Sequence, residues 1–382
     1  MTFLYLYQQN NRYFAQVADD IKDIAEEELQ SLGATETKPA YRGIYFSADP
    51  KALYTINFHS RLINRVLAPL ISFNCHSDRY LYKKSSEVRW EDFLDTSQTF
   101  AVFATVSHSA IRHSQFAALR LKDAVVDRFR TRTGDRPAIN RKDPDVWINL
   151  HIQNNEAIIS LDTSGGSLHR RGYRKKTVQA PMVETLAAAI IRYSGWDGSV
   201  PLTDPFCGSG TLLCEGYMRA SRTPAALLRT KFGFQRLPDF DSILWTQVKK
   251  AGIQKIIPLS KQVISGSDIS SEAIASSRHN CAVIDKENVI TMTQQDVFTI
   301  EKIEGHTIVC NPPYGIRMDK HVDLGGFYKR FGDFLKQRCR GSTAYIYFGE
   351  RKYIKNLGLK PSWKKPLSSG GLDGRLAMYE LY

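Results

Sequence analysis

From Met182 onward, the sequence alternates short apolar stretches with helical ones, and this alternation constrains the fold more than any other feature. It predicts strands at 200–204, 262–268, 289–296, 306–310 and 342–349. Strands that alternate with helices form a mainly parallel sheet that is covered on both faces. Ligands of such sheets bind beyond the carboxyl ends of the strands. The residues that follow each strand are therefore the first candidates for a functional site.

The first candidate is the loop DPFCGSG, which lies between the first predicted strand and the helical sequence TLLCEGYMRA. Its glycines let the backbone pass close to a ligand, and the helix start offers free N–H groups and a positive dipole end to a carboxylate. The acid can receive an ammonium group. We therefore predict that this loop binds the amino-acid end of S-adenosylmethionine through Asp204, Phe206, Cys207, Gly208, Gly210 and Thr211.

Four other interpretations of this loop are possible, and its sequence argues against two of them. A dinucleotide fold requires G-x-G-x-x-G and a phosphate loop requires G-K-[ST], and both patterns are absent from it. A purely structural glycine turn remains open. A nucleophilic role for Cys207 also remains open, although no histidine or second cysteine accompanies it in the motif.

Two acids follow the next two predicted strands. Asp268, beside Ile269, can bind both ribose hydroxyls, as the equivalent acid does in the dinucleotide fold. Asp296 can take the adenine amino group, with Val297 packing near the ring. Without the first loop, an acid at a strand end is more often a helix cap, so the assignment of both acids to cofactor binding depends on that loop.

The sequence NPPYG, residues 311–315, follows the fourth predicted strand. Its two prolines fix the backbone, so that the Asn311 amide oxygen and the Pro312 carbonyl can both accept hydrogen bonds from one NH2 group. This arrangement aligns an amine for attack on a methyl group, which is a positioning and electrostatic device. With Pro313 completing the turn and Tyr314 stacking on a base, the motif predicts methyl transfer to an exocyclic base nitrogen. A rigid turn is the structural alternative.

The first half of the chain reads as two small α/β units. In residues 1–64 the pattern predicts strands at 13–17 and 43–47 and helices at 19–32 and 51–65. In residues 65–165 it predicts a strand at 100–107, a helix at 115–131 and a strand pair at 146–151 and 157–162. A basic linker, 166–181, then precedes the predicted catalytic domain, 182–382.

The net charge of +13 fits a polyanionic partner such as nucleic acid and fits equally a soluble protein that happens to be basic. No apolar run is long enough to span a bilayer, and we expect neither a signal peptide nor a membrane partner. The six cysteines form no CxxC pair or zinc pattern, so we expect no metal and reduced thiols in the cytoplasm. Candidate RNA contacts, as opposed to a merely solvated basic face, are Arg112, Arg170, Arg171, Arg174, Lys175 and Lys176.

The motifs together resemble a known family. HSAIRHSQFAALRLKDAVVDRF is similar to the core of a THUMP domain, an RNA-binding module, and LHRRGYRKKTVQAPMVETLAAAIIRYSGW to the segment that joins THUMP to a catalytic domain. FGFQRLPDFDSILW and the ending GLDGRLAMYEL resemble bacterial 23S ribosomal RNA guanine-N2 methyltransferases. With DPFCGSG and NPPYG, the resemblance covers nearly the whole chain.

The resemblance implies a Rossmann-like class I methyltransferase domain preceded by ferredoxin-like and THUMP domains. It implies S-adenosylmethionine as cofactor, bound also by Asn311 and closed over by Pro181, and large-subunit ribosomal RNA as partner. Guanine-N2 methylation of transfer RNA and adenine-N6 methylation remain alternatives, as does an RNA-binding protein with an inactive catalytic domain. Protein partners and oligomeric state do not follow from the sequence.

Overall fold

The computed structural model describes residues 4–176, 181–314 and 323–382. The described residues fall into two compact units. One unit runs up to Leu168 and also includes Arg229–Lys250, and the other consists of His169–Leu228 and Ala251–Tyr382. The predicted domain boundaries at residues 64, 165 and 181 remain a prediction. The two units are groups of residues in mutual contact, and one stretch of the predicted catalytic domain packs in the first unit.

The first unit is built on one eight-stranded sheet that runs through both predicted N-terminal domains. Its strands in spatial order are β2, β3, β1, β4, β8, β7, β5 and β6, and β4 joins β8 in antiparallel pairing. The strands are β1 (Arg12–Gln16), β2 (Thr35–Ala40), β3 (Gly43–Ser47), β4 (Arg65–Asn74), β5 (Thr99–Ser107), β6 (Ala138–Ile139), β7 (Val146–Gln153) and β8 (Glu156–Asp162). The helices are α1 (Leu6–Asn10), α2 (Lys22–Ser31), α3 (Pro50–His59), α4 (Asp78–Glu87) and α5 (Ser114–Thr133).

The predicted helix over 51–65 is wrong at its end. It begins as expected, with Asp49 accepting a hydrogen bond from Ala52 N at 2.7 Å, but it stops at His59. The Glu28 carboxylate then accepts hydrogen bonds from the Ser60 hydroxyl and from the next two backbone N–H groups. These tertiary contacts hold the chain extended, and β4 starts at Arg65.

A segment that follows the first cofactor loop in sequence, Arg229–Lys250, completes the first unit. Phe234 N donates to Thr163 O at 2.7 Å, and Asp241 N donates to the Tyr54 hydroxyl at 2.9 Å. The Trp245 ring lies 5.4 Å from the Phe58 ring, centroid to centroid, and is 5% exposed. The insertion thus supplies part of the aromatic core beside α3.

We expect Trp245→Ala to lower the free energy of unfolding by about 3–5 kcal/mol, because it removes a large buried ring and leaves a cavity. Urea unfolding followed by circular dichroism measures the change. Ile243→Ala, on the same helix, is the matched control, since Ile243 is 71% exposed. Equal stability of the two variants would contradict a structural role for the insertion.

The second unit confirms the expected mainly parallel sheet. The spatial order is β11, β10, β9, β12, β13, β15 and β14; the first five strands are parallel, and β15 pairs antiparallel with both β13 and β14. The strands are β9 (Leu202–Asp204), β10 (Ile264–Asp268), β11 (Ile290–Gln294), β12 (Thr307–Cys310), β13 (Thr343–Phe348), β14 (Trp363–Pro366) and β15 (Arg375–Glu380). The helices are α6 (Glu184–Ser194), α7 (Thr211–Ala220), α9 (Ser271–Cys281) and α10 (Leu324–Arg338); α8 (Ser242–Gln254) belongs mostly to the insertion and so to the first unit.

Among the described helices, none is both long and apolar enough to cross a bilayer.

Candidate active site

The strand order creates one crevice in the second unit. The chain proceeds from β9 outward through β10 to β11, and then returns to place β12 on the other side of β9. Such a reversal opens a crevice at the carboxyl ends of the strands, where α/β sheets bind their ligands. Asp204 ends β9 and Asn311 follows β12, so the two predicted motifs flank this point.

The loop after β9 is held in an open cradle by its own backbone and by β10. Phe206 N donates to the Asp204 carboxylate at 3.0 Å, and Gly208 N donates to Asp268 at 3.0 Å. Gly210 is the N-cap of α7 with φ +79°, a conformation that favours glycine, and a side chain there would press on Ser277. The predicted loop residues therefore lie together at the start of α7, where Thr211 is the first helical residue.

The two acids predicted to hold the nucleoside part lie on neighbouring strand ends. Asp268 ends β10 and is half-buried, while Ile269 next to it is 68% exposed. Asp296 follows β11 and accepts a hydrogen bond from Phe298 N at 3.0 Å, so it does cap a short helical turn. Val297 is buried in the hydrophobic core of the second unit. The capping role of Asp296 engages one oxygen and leaves the carboxylate at the crevice edge.

Asp204 is a buried acid at the crevice. Burial raises the pKa of the Asp204 carboxyl well above its usual value, and the nearby Asp268 carboxylate raises it further. Asp204 is 1% exposed. An ionised carboxylate in this position is unfavourable until a cation arrives. The arrangement suits an ammonium group, as predicted from the loop.

We expect Asp204→Asn to stabilise the ligand-free chain by about 1–2 kcal/mol at pH 8 while abolishing binding of S-adenosylmethionine. Since the folded-state pKa of Asp204 is raised, its ionisation costs stability as pH rises above the unfolded pKa of about 4. The gain should therefore vanish at pH 4. Thermal and urea unfolding at both pH values measure it. Asp285→Asn is the control, because Asp285 accepts hydrogen bonds from two backbone N–H groups and its replacement should destabilise.

Cys207 does not fit the alternative nucleophilic role. Its side chain is 5% exposed, and burial raises the pKa of the thiol well above its usual value. The thiolate, which is the nucleophilic form, is thereby disfavoured. Among the described residues, no group of three His, Cys, Asp or Glu side chains could hold a metal ion.

The residue directly after β12, Asn311, presents a buried hydrogen-bond acceptor. The amide Oδ1 of Asn311 is buried and has no hydrogen-bond partner within the described parts of the chain. The turn that carries it is fixed from α10, where the Tyr328 hydroxyl donates to the Pro313 carbonyl at 3.3 Å. A buried acceptor without a donor is costly, which fits a site built for an incoming NH2 group. Gly315, the end of the motif, lies outside the described residues.

The Tyr314 ring packs in a fixed position, called its seat below, which the sequence analysis did not predict. Tyr314 is 8% exposed and lies edge-on to Tyr347 of β13, with ring centroids 6.3 Å apart. Gly349, just beyond β13, faces the same ring so closely that a β-carbon there would overlap it. A glycine directly after a strand was the only local signal of this contact. The seat fixes the orientation of the ring against which a base could stack.

The structure separates the predicted RNA contacts into two groups. Arg112, Arg170, Lys175 and Lys176 are exposed. Arg171 is 1% exposed, and its Nε lies 3.2 Å from the Glu215 carboxylate. The predicted RNA contact of Arg171 is therefore wrong, because a buried, paired guanidinium cannot reach a phosphate.

Arg174 is the second correction among the predicted RNA contacts. Its side chain is only 13% exposed, and its Nε donates to Glu184 at 2.9 Å. The guanidinium points into the second unit, so we withdraw the prediction that it contacts RNA. Pro181 and Glu184 line, with Arg174, a cleft of about 380 Å³.

Comparison with known proteins identifies the family. Residues 171–377 match the RMKL-like methyltransferase domain, residues 76–162 match the THUMP domain, and residues 12–67 match the RlmL ferredoxin-like domain. The chain belongs to the RMKL-like methyltransferases. The predicted resemblance and the predicted fold classes of the three parts are thereby confirmed.

Curated relatives place the chain within this RMKL-like family. A Synechocystis protein provisionally named an RNA methyltransferase is 39% identical over 375 residues, which is 97% of each chain. The ribosomal RNA large subunit methyltransferase K/L of Vibrio cholerae is 34% identical over 95% of this chain. The match covers 52% of the Vibrio protein, so the chain spans about half the length of that relative.

Solved structures share the architecture of this RMKL-like chain. A provisionally named methyltransferase, SMU.472, in complex with S-adenosylhomocysteine has a TM-score of 0.84 and 24% identity, with 98% of both chains covered. A Listeria monocytogenes protein titled a predicted N6-adenine-specific DNA methylase has a TM-score of 0.83 and 24% identity, covering 98% of this chain and 97% of its own. At this identity, the likeness establishes the fold.

Proposed function

We propose that this chain transfers a methyl group from S-adenosylmethionine to N2 of a guanine in large-subunit ribosomal RNA. The observation that carries the proposal is the buried, unpartnered Asn311 Oδ1 at the crevice of an RMKL-like methyltransferase fold. The large-subunit assignment is supported by the name of the Vibrio relative, which this chain matches over half that protein's length.

The residues at the crevice fit S-adenosylmethionine. The cofactor supplies an electrophilic methyl group. Asp204 would receive the ammonium group, the start of α7 at Gly210 and Thr211 would bind the carboxylate, and Asp268 would accept from the ribose hydroxyls. The fit rests on a buried carboxylate with a raised pKa and on a glycine cradle that a side chain would fill.

The chemical step is a positioning problem for the chain's own residues. Asn311 Oδ1 and the Pro312 carbonyl accept the two hydrogens of the target NH2 group and so direct the nitrogen lone pair toward the methyl group. Asn311 is an amide and takes up no proton, so the proton leaves to solvent after transfer. Tyr314 stacks on the target base, which must leave its helix to reach the crevice.

RNA binding is assigned to exposed cations in both units. Lys175 and Lys176 are held by their backbone N–H groups, which donate to Asn280 Oδ1 at 2.8 and 3.0 Å, while their side chains are exposed. Arg170 and, in the THUMP domain, Arg112 are exposed as well. Such cations give affinity through phosphates with little sequence information. A cytoplasmic location follows from this substrate.

A second candidate, adenine-N6 methylation, is favoured by one feature of the site. The acceptor pair at Asn311 and Pro312 suits any exocyclic NH2 group, including that of adenine. The THUMP domain argues for RNA over DNA as the substrate.

The experiment that tests the proposal is mass-spectrometric nucleoside analysis of 23S RNA and transfer RNA from a strain lacking the gene. We expect N2-methylguanosine to be lost from 23S RNA and restored by the wild-type gene. Loss from transfer RNA instead would redirect the substrate. Loss of N6-methyladenosine would mean that the methyl group is transferred to N6 of adenine and not to N2 of guanine.

A further inference from the structure

We infer that Arg174 binds the carboxylate of the methionine part of S-adenosylmethionine. The inference rests on the proposed function and adds a residue to its cofactor site. Three contacts hold the Arg174 guanidinium in a fixed position. Nε donates to Glu184 at 2.9 Å, and Nη2 donates to the Met182 carbonyl at 2.7 Å and to the Thr211 hydroxyl at 3.1 Å.

The contact with Thr211 places the cation at the start of α7. Thr211 is the first residue of this helix and directly follows Gly210 of the cofactor loop. The first backbone N–H groups of a helix and its dipole favour an anion at the same position. An arginine beside them adds a charge-assisted donor, Nη1, for an oxygen of the same anion.

The third nitrogen of the guanidinium, Nη1, is independent evidence for an anion at this position. Arg174 Nη1 is buried and has no hydrogen-bond partner in the described parts of the chain. A buried N–H group without an acceptor is costly, yet the other two nitrogens are fully engaged. The site therefore lacks one acceptor, which a bound carboxylate supplies.

The charges around the loop match an α-amino acid. Asp204, at the start of the loop, is buried and suits an ammonium group, whereas Arg174 lies against the end of the loop. A zwitterion of the methionine type carries both complementary charges. A phosphate of RNA does not fit this position, since Arg174 is only 13% exposed and points inward.

Calorimetric binding of two ligands to the full chain tests the inference. S-Adenosylmethionine carries the carboxylate, and 5′-methylthioadenosine lacks the whole amino-acid end. We expect Arg174→Gln to weaken S-adenosylmethionine binding at least ten-fold and to change methylthioadenosine binding less than two-fold. Because Arg174→Gln leaves Glu184 unpaired, the double variant R174Q/E184Q is measured beside it, with the same expectation.

The control is Arg219→Gln, at the far end of α7, which should change neither affinity. An equal loss for both ligands would mean that Arg174 is only structural, and unchanged affinity for S-adenosylmethionine would equally overturn the inference. Failure of the wild-type chain to bind S-adenosylmethionine at all would overturn the proposed function along with it.

Discussion

Replacing Asn311 with alanine should reduce the rate of methyl transfer by about 10²–10³-fold while leaving the affinity for S-adenosylmethionine within a few-fold of wild type. The amide oxygen is a fixed acceptor that is used fully only when the target nitrogen develops positive charge, and losing one such preorganised group costs about 3–4 kcal/mol. The fixed turn after β12 should survive the substitution, because Tyr328 holds it through the Pro313 carbonyl.

Single-turnover transfer of a labelled methyl group to unmodified 23S RNA measures the effect of Asn311→Ala. Asn356→Ala is the matched control, since Asn356 is an exposed asparagine of the same unit. A rate within ten-fold of wild type would refute the assignment of Asn311 as the amine acceptor. A loss of cofactor affinity equal to the loss of rate would assign Asn311 to cofactor binding instead.

Gly349→Ala should weaken methylation by about 5- to 150-fold without changing cofactor affinity. A β-carbon at this position overlaps the Tyr314 ring, so the ring must leave its seat beside Tyr347. The base then loses a stacking contact worth about 1–3 kcal/mol.

The effect of Gly349→Ala should appear in kcat/KM for RNA, with calorimetry of the cofactor as the second measurement. Gly325→Ala serves as the control, because its β-carbon would come no closer than 3.3 Å to any neighbour and it lies in the first turn of α10. Unchanged kcat/KM in Gly349→Ala would show that Tyr314 needs no fixed orientation.

The catalytic sheet was predictable because its signals are local. Each parallel strand is a short apolar run, and the functional residues follow directly after these runs, as Asp204 and Asn311 do. The antiparallel strands β14 and β15 were missed, because polar residues such as Lys364 interrupt β14, and its pairing with β15 is not local. β4 was missed as well, although it is largely apolar, and its antiparallel partner β8 lies far along the chain.

The errors at the site have one physical cause. Arg171 and Arg174 stand in a densely basic stretch, and composition alone gave them the same role as their exposed neighbours. Their partners, Glu215 and Glu184, lie on helices later in the chain, so only the fold reveals that both guanidinium groups are paired. The seat of Tyr314 was likewise invisible, because Gly349 belongs to a different strand end.

The insertion that packs beside α3 comes late in the sequence, so the first unit can be completed only late in synthesis. Trp245 and its aromatic neighbours reach the first unit only after the ribosome has produced the whole cofactor loop. Until then, Tyr54 and Phe58 lack the rings that cover them, and the nascent first unit exposes an apolar face prone to misassembly. An RNA-binding fragment cut at residue 168 would keep that exposed face permanently, so expression of the fragment should require the 229–250 segment to be supplied with it.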